Sequence, residues 1–158
     1  LHVGAVIFNK RTKRVLAVGY NGTIAGQKHC NELFDYNNLL VHVDLQDYLK
    51  CGLPNKSGWN KVSEKTFKEL HHEFSEKYEV HAEQNAIVQA AKLGVSIDGA
   101  TLYCTHQPCS VCAKMIINAG IRRVVYQEGY PDAFSVELLE EAGIELERFE
   151  QEKTGEEG

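Results

Sequence analysis

The sequence predicts an α/β fold: a five-stranded mixed sheet in a three-layer α/β/α arrangement, carried by a single domain over residues 1–149. Three observations lead there. From Ala100 onward, short apolar strands alternate with helices of about ten residues, the pattern of parallel strands joined by crossovers. Two apolar runs near the start, residues 3–8 and 14–19, flank a polar turn and read as a hairpin, which supplies the antiparallel edge. Residues 82–93 are rich in helix formers and close on Gly94, a residue suited to the left-handed position after a helix.

Taken in order, residues 3–8 are a short apolar run with β-branched residues, as suits a buried strand. The turn at 9–13 carries Lys10, Arg11 and Lys13 and reads as a solvated tip. Residues 14–19 return and run into Tyr20-Asn21-Gly22, either a simple turn or a loop that places amides over a pocket. Residues 31–75 are expected to form an insertion, serving as a lid, an oligomer contact or surface padding. Within it Leu39, Val41, Val43 and Leu45 alternate, and 44–50 suits a helix. Residues 50–61, with Gly52, Pro54, Gly58 and Trp59, read as a loop. Ser63 is the expected cap of a helix over 64–75.

The second half is plainer. A strand is expected at 100–105, a helix at 110–119 with Pro108 suiting its start, and a strand at 123–126. A helix over 132–142, a turn at Gly143 and a strand at 144–149 follow. Residues 150–158 are an acidic, flexible tail. The sequence begins at Leu1, almost directly in a strand, which leads us to expect a fragment whose N-terminal helix is missing.

Composition narrows the class. An apolar share of 43% and a charged share of 25% suit a soluble globular domain. No run of eighteen apolar residues and no signal peptide is present, so neither a membrane span nor secretion is expected. An odd count of 5 cysteines, two of them in metal spacing, favours a reducing, cytoplasmic setting over a disulfide framework. A net charge of −5 argues against long nucleic acids as partners, while a small anionic ligand stays open.

Two motifs carry the chemistry. The first is His81-Ala82-Glu83 at the head of one helix, and the second is Pro108-Cys109-Ser110-Val111-Cys112 at the head of another. One imidazole and two thiolates supply three corners of a tetrahedral Zn²⁺ site and leave the fourth open, as in catalytic rather than structural centres. Both helix starts direct positive partial charge at such a site, which favours thiolate. Glu83 lies two residues past the histidine, placed to act as acid and base without ligating the metal. Alone, His-x-Glu is common, and Cys-x-x-Cys also suits structural zinc or redox pairs. Together they form the signature of zinc-dependent base deaminases.

On these motifs the chain resembles the cytidine/deoxycytidylate deaminase superfamily, and within it the deoxycytidylate branch. Residues 3–7, Gly19-Tyr20-Asn21-Gly22, His81 to Ile87, Gly99 to Tyr103, Pro108 to Cys112, Ala119-Gly120-Ile121 and Ala142-Gly143-Ile144 carry the likeness. The resemblance implies a cytidine deaminase-like fold and zinc-dependent hydrolysis of dCMP to dUMP and ammonia, supplying dUMP for thymidylate synthesis. It implies Glu83 as the catalytic residue, with His81, Cys109 and Cys112 on the metal. Asn21, Gly22 and Tyr130 are the nucleotide-binding candidates, with Tyr126 and His106 near the pocket. Whether the Asn21 region serves substrate or effector stays open.

Phage-type members imply a second, structural zinc, which falls here on Cys30, His71 and Glu79, with His72 competing for His71. Similar enzymes form homo-oligomers, hexamers or dimers, controlled by dCTP and dTTP, with Mg²⁺ accompanying the dCTP effector. The alternatives are a deaminase of another cytosine or adenine substrate, in nucleoside, RNA or single-stranded DNA, and a non-catalytic nucleotide-binding module.

Overall fold

The computed structural model describes residues 3–150, so the tail expected at 150–158 lies, beyond Glu150, outside the described residues. In chain order, β1 (Gly4–Asn9) and β2 (Arg14–Tyr20) come first. Then follow β3 (Gly22–Thr23), α1 (Cys30–Leu33), β4 (Phe34–Asp35), β5 (Leu40–His42), α2 (Leu45–Leu49), β6 (Trp59–Lys61), α3 (Glu64–Tyr78) and β7 (Glu79–Val80). The chain closes with α4 (Ala82–Leu93), β8 (Thr101–His106), α5 (Ser110–Asn118), β9 (Arg123–Glu128), α6 (Ala133–Glu141) and β10 (Glu145–Arg148). These elements form two compact units, one of residues up to Asn21 together with those from His81 onward, the other Gly22–Val80.

The first unit is a five-stranded mixed sheet ordered β10-β9-β8-β1-β2. β1 pairs antiparallel with β2 and β8, while β8, β9 and β10 run parallel. The hairpin tip is fixed by Asn9, whose Oδ1 accepts the Arg11 and Thr12 amides, each at 3.0 Å. Alternation along the strands sends Ala5, Ile7, Ala17, Leu102, Cys104 and Val124 to one face. There they meet Ala82, Ala86 and Ala90 of α4, Cys112, Ala113 and Ile116 of α5, and Leu139 of α6 in a single core. Among the described residues of this unit, α4, α5 and α6 all lie on that face. The five-stranded mixed sheet and its helix layer are as the sequence predicts; the second helix layer of a three-layer arrangement is not among the described residues. On the opposite face Tyr103 meets Phe8 edge-on at 6.2 Å, and Arg123 pairs with Glu145 at 3.2 Å and with Glu147.

The edge strand β2 is held against α4. Val18 N–H donates to Gln89 Oε1 at 2.7 Å, and Asn85 Nδ2 donates to the Tyr20 carbonyl at 2.8 Å. Asn85 and Gln89 are one turn apart on α4, so one helix face satisfies the outer groups of the edge strand. Gly19 lets the two backbones come together, because a Cβ there would sit 2.1 Å from the Ala82 carbonyl oxygen and 2.5 Å from the Ala86 nitrogen. α4 ends where expected, on Gly94 with φ 66°.

The Gly22–Val80 unit has its own core of Leu33, Phe34, Val41, Leu45, Leu49, Phe67 and Phe74. Its small sheet has the order β4-β5-β6, and β3 pairs with β7. The loop expected over 50–61 therefore ends in a strand, β6, where Asn60 is buried and accepts the Asn55 amide at 2.8 Å. The helix expected at 44–50 is α2, and Ser63 caps α3 by accepting the Thr66 amide at 3.1 Å. α3 runs to Tyr78, three residues past the expected end, because Tyr78 stacks on Phe74 at 5.2 Å and Lys77 pairs with Glu73 at 2.6 Å.

Candidate active site

His81 and Cys109 occupy equivalent places: each is the extended residue immediately before a helix, His81 at φ −70°, ψ 155° and Cys109 at φ −75°, ψ 169°. That conformation turns the side chain out of the coming helix. α5 therefore starts at Ser110, and Pro108 stands before the cap rather than inside the first turn. Cys112, one turn further on, is fully buried. At α4 the Gln84 side chain reaches back and accepts the His81 amide at 2.9 Å, fixing the helix start.

These placements bring His81 Nδ1 within 3.5 Å of Cys109 Sγ and 3.4 Å of Cys112 Sγ. The three donor atoms all lie within 4.8 Å of one another. A tetrahedral zinc with its usual bonds of about 2.05 Å to nitrogen and 2.3 Å to sulfur has an N···S edge of about 3.6 Å. The triangle is thus already the right size, and its nitrogen and sulfur donors suit zinc.

Electrostatics agree. The Cys109 thiol is pulled down to about 4, first by the hydrogen bond from Cys112 and then by His81, against the opposing effect of burial. Cys112 is pushed up because it holds the shared proton, is buried, and faces Glu83. The two sulfurs and His81 thus lie close enough to bias one another's protonation, and metal binding requires both sulfurs as thiolates.

Glu83 is 3% exposed, on the first turn of α4. Burial holds its carboxyl above the usual carboxylate range, while its own backbone amide, His81 and the Cys112 thiol pull it back. It stands beside the triangle without belonging to it. A buried carboxyl of raised pKa next to an open metal corner is equipped to take and return protons. Cys104 is buried core behind it, its thiol pushed up by burial.

Cys30, His71 and Glu79 also come together, within the Gly22–Val80 unit. The Cys30 thiol donates to Glu79 Oε1 at 2.9 Å, and His71 Nε2 lies 3.6 Å from the same sulfur. Burial, with Glu79 next, pushes the thiol up to about 12. Tyr36, which sequence reasoning missed, places its hydroxyl 2.6 Å from His71 Nε2. His72 faces away, against Glu76 at 3.5 Å.

Of the nucleotide-binding candidates, Asn21 accepts the Val3 amide on Oδ1 at 2.8 Å, joining the end of β2 to the start of β1. Gly22 pairs with Val80, both within the Gly22–Val80 unit. Tyr130 is 50% exposed ahead of α6, and Tyr126 packs half-buried on the main core. His106 Nδ1 lies 3.0 Å from Thr105 Oγ1.

Sequence reasoning missed two supports of the site. Gly19 is legible as a family residue but not as the point where β2 meets α4. Asp132, expected as the first residue of the helix over 132–142, caps α6 instead, and its second oxygen accepts the Ser110 amide at 2.8 Å. That bond links residues far apart in sequence and leaves no local signal.

Comparison with known proteins agrees with this geometry. A family model described as the cytidine and deoxycytidylate deaminase zinc-binding region matches residues 1–128. The deoxycytidylate deaminase of Enterobacteria phage T4 is 38% identical over 150 residues, 91% of this chain and 77% of that protein. ComE operon protein 2 of Bacillus subtilis is 38% identical over 151 residues, 95% of this chain but 61% of its own length. The solved structure of dCMP deaminase from the cyanophage S-TIM5 in complex with dCMP and dUMP is similar with a TM-score of 0.60 and 31% identity, covering 93% of this chain and 80% of that one. The chain belongs to the cytidine and deoxycytidylate deaminase zinc-binding family.

Proposed function

We propose that this chain hydrolyses dCMP to dUMP and ammonia, with zinc on His81, Cys109 and Cys112 and Glu83 as the catalytic residue. The observation that carries the reading is the zinc-sized triangle with a buried, non-ligating carboxyl at its side. The deoxycytidylate deaminases among its relatives, and the dCMP- and dUMP-bound structure it resembles, favour this substrate. Zinc, when bound, supplies the Lewis acid that makes water nucleophilic at neutral pH. Glu83 takes the proton of the attacking water and gives it to N3 of cytosine. It then takes the proton of the hydroxyl now on C4 and passes it to the 4-amino group; the C4–N bond breaks as the C4 carbonyl forms, and ammonia leaves. Burial suits Glu83 to both tasks, because a carboxyl of raised pKa gives up and regains a proton more evenly near neutrality.

Asn21, Gly22 and Tyr130 are proposed to contact the nucleotide. Homo-oligomerisation, control by dCTP and dTTP, and Mg²⁺ carried on the effector's phosphates belong to the same proposal and rest on the family likeness. So does supply of dUMP for thymidylate synthesis. The unpaired thiols suit the reducing conditions of the cytoplasm. Among the described residues no helix is long and apolar enough to cross a membrane. We treat residues 1–149 as one deaminase domain with an insertion.

A second zinc on Cys30, His71 and Glu79 is proposed as the weaker site. Contacts of Glu79 and His71 with Cys30 support it, but the 2.9 Å separation of Cys30 and Glu79 is a direct hydrogen bond, shorter than a metal-bridged edge of about 3.5 Å. Metal entry must part them and draw His71 from Tyr36.

The test is ammonia release from dCMP, CMP, deoxycytidine, adenosine and a short oligonucleotide, with dUMP identified by mass. The reading expects dCMP to be consumed fastest, with one ammonia per dUMP. Preference for the oligonucleotide or adenosine points to another deaminase, and no ammonia from any of them points to a non-catalytic module.

A further inference from the structure

An N-cap side chain ordinarily accepts a hydrogen bond from the first-turn amides of its helix. The Cys109 sulfur faces His81 and Cys112 and does not serve the first amide of α5, that of Ser110. For that amide the acceptor comes from another element. Ser110 N–H donates to Asp132 Oδ2 at 2.8 Å. The other oxygen of the same carboxylate accepts the Ser135 amide at 3.0 Å and caps α6. The Asp132 carbonyl accepts from Ser135 Oγ at 2.8 Å and from Gln107 Nε2 at 3.2 Å. Ser135 is fully buried and Gln107 is 9% exposed, while Asp132 and Ser110 are half-buried, so the network runs from the surface into the interior. Gln107 and Ser110 lie on either side of Pro108-Cys109, and Asp132 holds both.

We propose that Asp132 is a positioning residue for the thiolates: it holds the first amide of α5, beside Cys109, and so keeps Cys109 and Cys112 at ligand distance. The inference rests on the metal-centre reading above. Without the carboxylate, the Ser110 amide at the start of α5 loses its acceptor. The turn then frays, and it is the turn that carries both sulfurs. Asp132 does not itself touch the reacting atoms.

The test uses the zinc-loaded full chain and follows zinc release to a chromophoric chelator. Three variants separate the roles. Asp132→Ala removes both caps. Ser110→Pro removes only the donor to Asp132, at a first helical position where proline is tolerated and after a residue already extended. Ser135→Ala loosens the α6 side and leaves the Ser110 bond in place. The proposal expects zinc release to quicken roughly 10- to 100-fold in Asp132→Ala and Ser110→Pro, the usual cost of losing an outer-shell partner. Ser135→Ala should release zinc at the wild-type rate even where its melting temperature falls. After cobalt substitution, the thiolate-to-metal absorption bands should weaken or shift in the first two variants and not in the third. If Asp132→Ala fails to fold, Ser110→Pro decides alone. Wild-type release in either folded variant, whatever its melting temperature, overturns the proposal. A wild-type chain that binds no zinc overturns the metal-centre reading instead, and this proposal with it.

Discussion

Cys112 is the ligand with the least room for compromise. It is fully buried, and its sulfur faces His81, Cys109 and Glu83 together. Cys112→Ser removes a soft donor from the metal and leaves the remaining groups unable to close the site. The variant should lose most of its zinc while keeping its sheet, as metal analysis beside circular dichroism will show; full zinc content would contradict the ligand assignment. That His81, Cys109 and Cys112 would meet was readable because their spacing within each motif is local and their chemistry restrictive. Tyr36 was not, because nothing in its neighbourhood marks a tyrosine that meets His71 from another element. The same holds for the choice of His71 over His72, which depends on helix phase.

At the scale of elements, the zinc-bearing end of α4 depends on its approach to β2. Gly19→Ala would push a Cβ into the Ala82 carbonyl and the Ala86 amide. Overpacking of this kind costs on the order of 1–3 kcal/mol, and here the yielding element carries His81 and Glu83. Both the urea midpoint and turnover should fall; a variant with wild-type values would mean that α4 can shift freely.

The cap residue Asp132 gives a pH signature. The Ser110 amide, then the Ser135 amide, hold its carboxyl below the ordinary value of 3.8. Its stabilisation is therefore fully present above that value and is lost as pH falls through the lower, folded one. The stability gap between wild type and Asp132→Asn should stay level from neutrality to about pH 5 and close below it. Urea titrations across that range measure it, and a gap that opens on acidification would contradict the sign.

Regular elements were legible where periodicity had room to show. α4 has the predicted bounds, and β8, α5, β9 and α6 lie within a residue or two of theirs. β4, β5 and β6 have only two or three residues each, too few to display alternation, and their pairing is set by contacts rather than local pattern.

At the scale of the molecule, each unit has its own buried core; the first gathers the His81, Cys109 and Cys112 donors within 4.8 Å of one another, and in the second Glu79 and His71 each meet Cys30. Metal stoichiometry thus reads both at once. Wild type should carry more than one zinc per chain and Cys30→Ser one; equal content in the two would remove the second site and leave the first untouched. The mixed sheet was predictable from the order of strands and helices. The compactness of the Gly22–Val80 unit was not, because its core draws on residues from Leu33 to Phe74 that share no single period.

The central claim is that the buried carboxyl beside the metal triangle moves the protons of deamination. Its most direct measurement is the turnover of zinc-loaded Glu83→Gln on dCMP, with zinc counted in the same sample. The amide keeps the shape of the side chain but cannot take a proton, so zinc should stay at the wild-type level while kcat falls by about 10²- to 10⁴-fold. Turnover near that of wild type at full zinc content would contradict the account.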